Sequence, residues 1–127
     1  MTAPGPDTPP ADRLTAILGK LRAFVAERQW EQFHDPKNLA MLVGSEAGEL
    51  LAELRWVPND AADSFGQDSS ARARIAAEVA DVAIALFLLC DRLDIDLLAA
   101  VETKIEVNRR HYPPEASRGR WDRPADG

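Results

Sequence analysis

The chain has 127 residues, 46% hydrophobic and 28% charged, which fits one compact domain with enough apolar surface for a core and leaves little for a second. Fifteen basic side chains against 21 acidic ones give a net charge of -6, which argues against a protein that grips bare nucleic-acid backbone and suits one that concentrates divalent cations. The single cysteine, Cys90, allows no internal disulfide, and the longest apolar run, Val82 to Cys90, is too short to span a bilayer; a soluble, cytoplasmic protein with no membrane partner is expected.

The first ten residues hold four prolines and a glycine and lack the basic and apolar regions of a secretory signal, so 1–10 reads as a disordered leader. From Ala11, the residues Leu14, Ile17, Leu18, Leu21, Phe24 and Val25 recur at spacings of three and four, predicting a helix to about Gln29. Pro36 disfavours helical geometry at Asp35 but suits the first turn of a new helix, predicted from Pro36 to Arg55. The stretch "VPNDAADSFGQDSS" reads as a polar loop, with Ser69 or Ser70 capping a third helix over Ala71 to Leu93. The second half of that helix is apolar on nearly every side and is expected to be buried all round, centrally in a bundle or against another subunit. Asp94 or Asp96 can cap a fourth helix, "LLAAVETKIEVNRR", which ends before Tyr112, Pro113 and Pro114. The tail from 114 to 127 shows no periodicity and reads as flexible. No alternating strand pattern or internal repeat is present. The expected architecture is all-α, a four-helix bundle over 11–113 completed by homo-oligomerisation.

One anomaly directs the functional reading. In "SEAGELLAEL", at about 100° per residue, Glu49 and Glu53 lie within roughly 60° of Glu46, as do Leu39, Leu42 and Leu50. The third helix repeats the pattern, because Glu78 and Asp81 share a face with Ile75, Val82, Ala85 and Leu89. Carboxylates grouped on apolar faces suffer desolvation and mutual repulsion, which a positive partner must relieve. Hard oxygen donors at i, i+3 spacing suit Mg²⁺, with Mn²⁺ a possible substitute, and no Cys or His cluster points to zinc. Salt bridges from Arg72 or Arg74 are the competing explanation. Glu53 is open to three roles: a base behind the metal, a further ligand, or a solvated flank.

The segments "ERQWEQFHDPKNLAMLVGSEAGELLAELRW" and "EVADVAIALFLLCDRLDIDLLAAVETKIEVNRRHYP" resemble the MazG-like, all-α nucleoside triphosphate pyrophosphohydrolases, and most closely their dCTP pyrophosphatase branch. The resemblance rests on the ordered set ExxE, ExxD and KxxxNRRxYP and covers about Leu14 to Pro113. It implies Mg²⁺-dependent hydrolysis of a nucleoside triphosphate to a monophosphate and pyrophosphate, in a homodimer or homotetramer with active sites near subunit contacts. It implies metal ligands at Glu46, Glu49, Glu78 and Asp81, with Glu49 or Glu53 as the catalytic base. Lys104, Asn108 and Arg109 become triphosphate contacts, with Tyr112 and Lys37 as further candidates; Arg109 and Arg110 also fit a basic helix end that complements its dipole. Trp30 and Trp56 become walls of a base pocket, while His34 fits either reading a base edge or holding its own loop. The chain departs from the resemblance at Ala85, where a tyrosine is expected one turn after the aspartate. The resulting expectation is an enzyme of nucleotide-pool sanitation acting on dCTP or a modified dCTP. Its rivals are a broad-specificity relative and a non-enzymatic helical oligomerisation module whose acids are salt-bridged.

Overall fold

The computed structural model describes residues 6, 7 and 9–122, and among these every regular element is helical. The chain divides into two units, one ending at Leu93 and one beginning at Asp94. Most of the expected leader, 1–5 and 8, lies outside the described residues, as do 123–127 at the end of the expected tail.

In the first unit, α1 (Pro10–Glu27) begins with proline at its first turn, where the missing N–H is no loss. Its end explains a position that periodicity does not. Gln29 adopts the left-handed region at φ 55°, so that its N–H donates to Ala26 O and the Trp30 N–H donates back to Val25 O. This is a Schellman closure, and it folds Trp30 against the last turn of α1 instead of leaving it on the helix. After a 3-10 turn at Glu31–Phe33, α2 (Pro36–Leu54) is capped by Asp35, whose carboxylate accepts from the Asn38 N–H at 2.9 Å.

The expected polar loop contains structure. A 3-10 turn at Asn59–Ala61 leads into α3 (Ala62–Gln67), which packs on α4 (Ser69–Arg92). Over 57–67 the half-buried residues are Val57, Ala61, Ala62, Phe65 and Gly66, and the three- to four-residue spacing among them is the signal that identifies the segment. The cap of α4 is Asp68, whose Oδ2 accepts from Ala71 N at 3.1 Å, and not Ser69 or Ser70. A carboxylate at a helix N-terminus adds charge complementarity that a hydroxyl lacks.

The main packing in this unit is between α2 and α4. They run antiparallel: Glu53 pairs with Arg74 near one end, Glu46 meets Glu78 and Asp81 midway, and Leu39 and Leu88 line one cavity at the other end. A bidentate ion pair from Arg22 to Asp91, 2.6 Å at its shortest, ties α1 to α4. The core is thin, because only Val25, Leu39, Ala71 and Ala85 are buried among the described hydrophobic residues. The expectation that the apolar half of α4 is buried all round is therefore not met within one chain, where Ile84 is 37% exposed and, from Val82 to Cys90, only Ala85 is fully buried.

In the second unit, Asp96 caps α5 (Leu97–His111) by accepting from Ala99 N at 3.1 Å. Asp94, the alternative cap, takes a left-handed turn conformation at φ 53°. The tail contributes one short helix, α6 (Pro114–Ser117). Among the described residues, no helix is long and apolar enough to cross a membrane.

Candidate functional site

Helical periodicity places ExxE and ExxD on the facing sides of α2 and α4, and the antiparallel register decides which acids meet. Glu46, Glu78 and Asp81 each offer a carboxylate oxygen within 4.8 Å of the other two. Glu49 is not one of these three; it is exposed beside them, close enough to Glu78 to act on its charge. Glu53 accepts a hydrogen bond from Arg74 Nε at 3.1 Å. The salt-bridge explanation thus holds for Glu53 alone, since among the described residues Glu46, Glu78 and Asp81 have no ion pair.

The electrostatics follow from that geometry. Desolvation is the largest influence raising the proton affinity of Glu78, followed by the negative charges of Asp81, Glu49, Glu46 and Glu53. Three convergent carboxylates without a cation of their own are a donor set that fits a hard divalent ion such as Mg²⁺ or Mn²⁺. The sign of the pH effect is fixed. With its carboxyl raised in the folded state, Glu78 binds a proton more tightly folded than unfolded, so stability falls as pH climbs from the ordinary value of 4.5 through the raised one. Thermal melts in EDTA should therefore show Tm dropping over this window, and Glu78→Gln should flatten the drop. An unaltered pH slope in the variant would mean that the acids do not strain one another.

One helical turn from the acids lies an apolar cavity of about 210 Å³. Leu42 precedes Glu46 by four residues on α2, while Ile84 and Leu88 follow Asp81 on α4. Phe24 and Trp30 from the end of α1, together with His34, supply its aromatic wall. A second cavity, of about 330 Å³, shares Val25, His34 and Leu88 with the first and adds polar groups, among them Arg22, Glu31, Asp91 and Arg92. Sequence reasoning missed Phe24, Leu42, Ile84 and Leu88 as lining residues, although each falls on the periodic apolar face next to a singled-out residue.

His34 lines both cavities, and among the described residues its imidazole has no hydrogen-bond partner. The loop around it is held by other groups: Asn38 Nδ2 donates to Phe33 O at 3.0 Å and Gln32 Nε2 donates to Gln29 O at 2.9 Å. Of the two roles open to His34, facing a ligand agrees with this arrangement better than holding the loop. Trp56, the other tryptophan expected at a base, is placed differently from Trp30. It lines neither cavity and is 84% exposed, with the Arg55 guanidinium 5.4 Å from its ring centre. It follows α2 directly, with no closure to fold it back as Trp30 is folded.

The basic set belongs to the second unit. Lys104, Asn108 and Arg109 are exposed on α5, and Arg109 also reaches Glu106 at 3.2 Å, one turn earlier. The Tyr112 N–H donates to Asn108 O at 2.7 Å and closes the helix. Lys37 is exposed in the first turn of α2, and Ala85 is fully buried in α4 and lines neither cavity.

No family model matches the chain. It is 38% identical over 119 residues to dCTP pyrophosphatase 1 of Bos taurus, an alignment covering 93% of this chain and 70% of that protein. It is 40% identical over 95 residues to dCTP pyrophosphatase 1 of Homo sapiens, covering 75% of this chain and 56% of that one. Among solved structures it resembles a pyrophosphatase from Archaeoglobus fulgidus DSM 4304, with a TM-score of 0.72 and 37% identity over 79% of this chain and 92% of that one.

Proposed function

The chain belongs to the dCTP pyrophosphatase family of MazG-like all-α nucleotide pyrophosphohydrolases, and from that premise we propose a Mg²⁺-dependent enzyme that releases pyrophosphate and a monophosphate from dCTP or a modified dCTP. The observation that carries this reading is the convergence of Glu46, Glu78 and Asp81 one helical turn from an apolar cavity with an aromatic wall. One turn is about 5.4 Å of helix. A spacing of this order suits a nucleotide whose phosphates lie at the acids and whose base enters the cavity.

In this reading Glu46, Glu78 and Asp81 hold the metal, with Glu49 as a further ligand or as the base. A bound Mg²⁺ would supply charge neutralisation for the triphosphate and acidify a water molecule. The carboxylate of Glu49 takes the proton of the attacking water as the new oxygen–phosphorus bond forms and the phosphoanhydride bond breaks, with pyrophosphate as one product. Glu53 suits that role less well, because its ion pair with Arg74 occupies one of its oxygens. Lys104, Asn108 and Arg109 are assigned the phosphate contacts, and Trp30 and His34 the base.

The domain is assigned to 11–113, in a cytoplasmic homodimer or homotetramer. The bare apolar side chains Met41, Leu51 and Val79 on α2 and α4 support a second copy as their cover. A broader specificity has one observation in its favour: the small cavity has few groups able to hydrogen-bond a base edge, chiefly His34 and the Trp30 N–H.

Pyrophosphate release from a panel of canonical and 5-modified nucleoside triphosphates, with Mg²⁺ and with EDTA, tests the proposal. Metal-dependent release greatest for dCTP or its modified forms is expected. Similar release from purine and pyrimidine triphosphates would establish the broader enzyme instead, and none from any triphosphate by the folded protein would overturn the assignment.

A further inference from the structure

We infer that Arg28 is a positioning residue for base recognition, holding Phe24 and Trp30 in the wall of the apolar cavity without itself touching the nucleotide. The inference rests on the assignment of that cavity to the base. Arg28 follows the last residue of α1, within the closure that turns the chain back. Its guanidinium lies 3.7 Å from the centre of the Phe24 ring and 6.0 Å from that of Trp30. The stack is pinned, because Arg28 Nη1 donates to Phe24 O at 2.9 Å and approaches Glu27 Oε2 at 3.5 Å.

From Phe24 the contacts continue inward. Phe24 meets Trp30 edge to face, centroids 5.7 Å apart at 76°, and Trp30 is tilted against His34 at 6.5 Å. Phe24, Trp30 and His34 line the cavity, whereas Arg28 does not. Phe24 and Trp30 are each more than two-fifths exposed, so packing leaves them room to turn. A planar cation over the Phe24 ring restricts that motion, and an aromatic wall fixed before binding loses less entropy when a base stacks on it. The same reasoning accounts for arginine over lysine here, since only the fork can lie flat on the ring while donating to a carbonyl.

The test uses the full chain with dCTP and compares Arg28→Gln, Arg28→Lys and Trp30→Ala. Arg28→Gln should raise KM about threefold to fivefold, the size of one exposed cation–π contact, with kcat nearly unchanged. Arg28→Lys should recover part of the loss. In the free protein, the indole N–H resonance of Trp30 should shift in Arg28→Gln while those of Trp56 and Trp121 stay in place, and the Mg²⁺-induced rise in Tm should be unaltered. An unchanged KM in Arg28→Gln beside a raised one in Trp30→Ala would overturn the inference alone. A parallel fall in kcat and Tm would reduce Arg28 to a purely structural residue and would also overturn it. An unchanged KM in Trp30→Ala would instead remove the base from this cavity, and the inference with it.

Discussion

Asp81→Asn should lower Mg²⁺-dependent pyrophosphate release by about a thousandfold or more while the protein stays folded. Loss of one ligand from a set of three both weakens the metal and misplaces it, and a thousandfold corresponds to about 4 kcal/mol of transition-state stabilisation. Asp81 is exposed and the amide is isosteric, so packing gives no reason for unfolding. Stability in EDTA should instead rise, because Asp81 is the nearby charge acting most strongly on Glu78. A catalytic loss with a gain in metal-free Tm is a combination that a merely structural aspartate would not give. Measuring kcat/KM beside melts in EDTA separates the cases, and retained activity would remove Asp81 from the metal site.

The acids illustrate how far a sequence carries such an assignment. An i, i+3 pair is local geometry, so Glu46 with Glu49 and Glu78 with Asp81 were each legible from the 3.6-residue repeat. Which members converge depends on the register between α2 and α4, and no local pattern encodes it. That register joins Glu46 to the α4 pair, leaves Glu49 beside them, and carries Glu53 to Arg74. The four long helices follow from their apolar spacing, although the cap of α4 is Asp68 and not a following serine. α3 was missed because the helical spacing of Val57, Ala61 and Phe65 is diluted by loop-forming neighbours, Pro58, Asn59, Asp60 and Gly66. Trp30 and Trp56 look equivalent in sequence, each just beyond a helix. The difference is a positive φ at Gln29, where no glycine announces it.

Leu39→Ala is the substitution expected to cost most in stability. Leu39 is 1% exposed and is the largest fully buried side chain described, while two of the other three buried hydrophobic residues are alanines. Truncating a buried leucine costs about 2–5 kcal/mol, a large part of the 5–15 kcal/mol that holds a typical domain together. The lower half of that range applies, because Leu39 borders the cavity of about 330 Å³ and its removal enlarges an existing space that water can enter. A loss of about 2–3 kcal/mol should lower Tm by roughly 10 °C in a chain of this size, whereas Leu39→Met, which conserves volume, should cost under about 1.5 kcal/mol. Melts should be recorded at two protein concentrations. If a second copy covers the exposed Met41, Leu51 and Val79, Tm will rise with concentration in parent and variant alike, because association draws on the folded chain. The thin core and the bare faces of α2 and α4 would then have one cause: part of the packing that holds the acids in register would come from the neighbouring chain. A Tm independent of concentration, with Leu39→Ala still destabilising, would leave the α2–α4 register to Leu39 and Val25 within one chain.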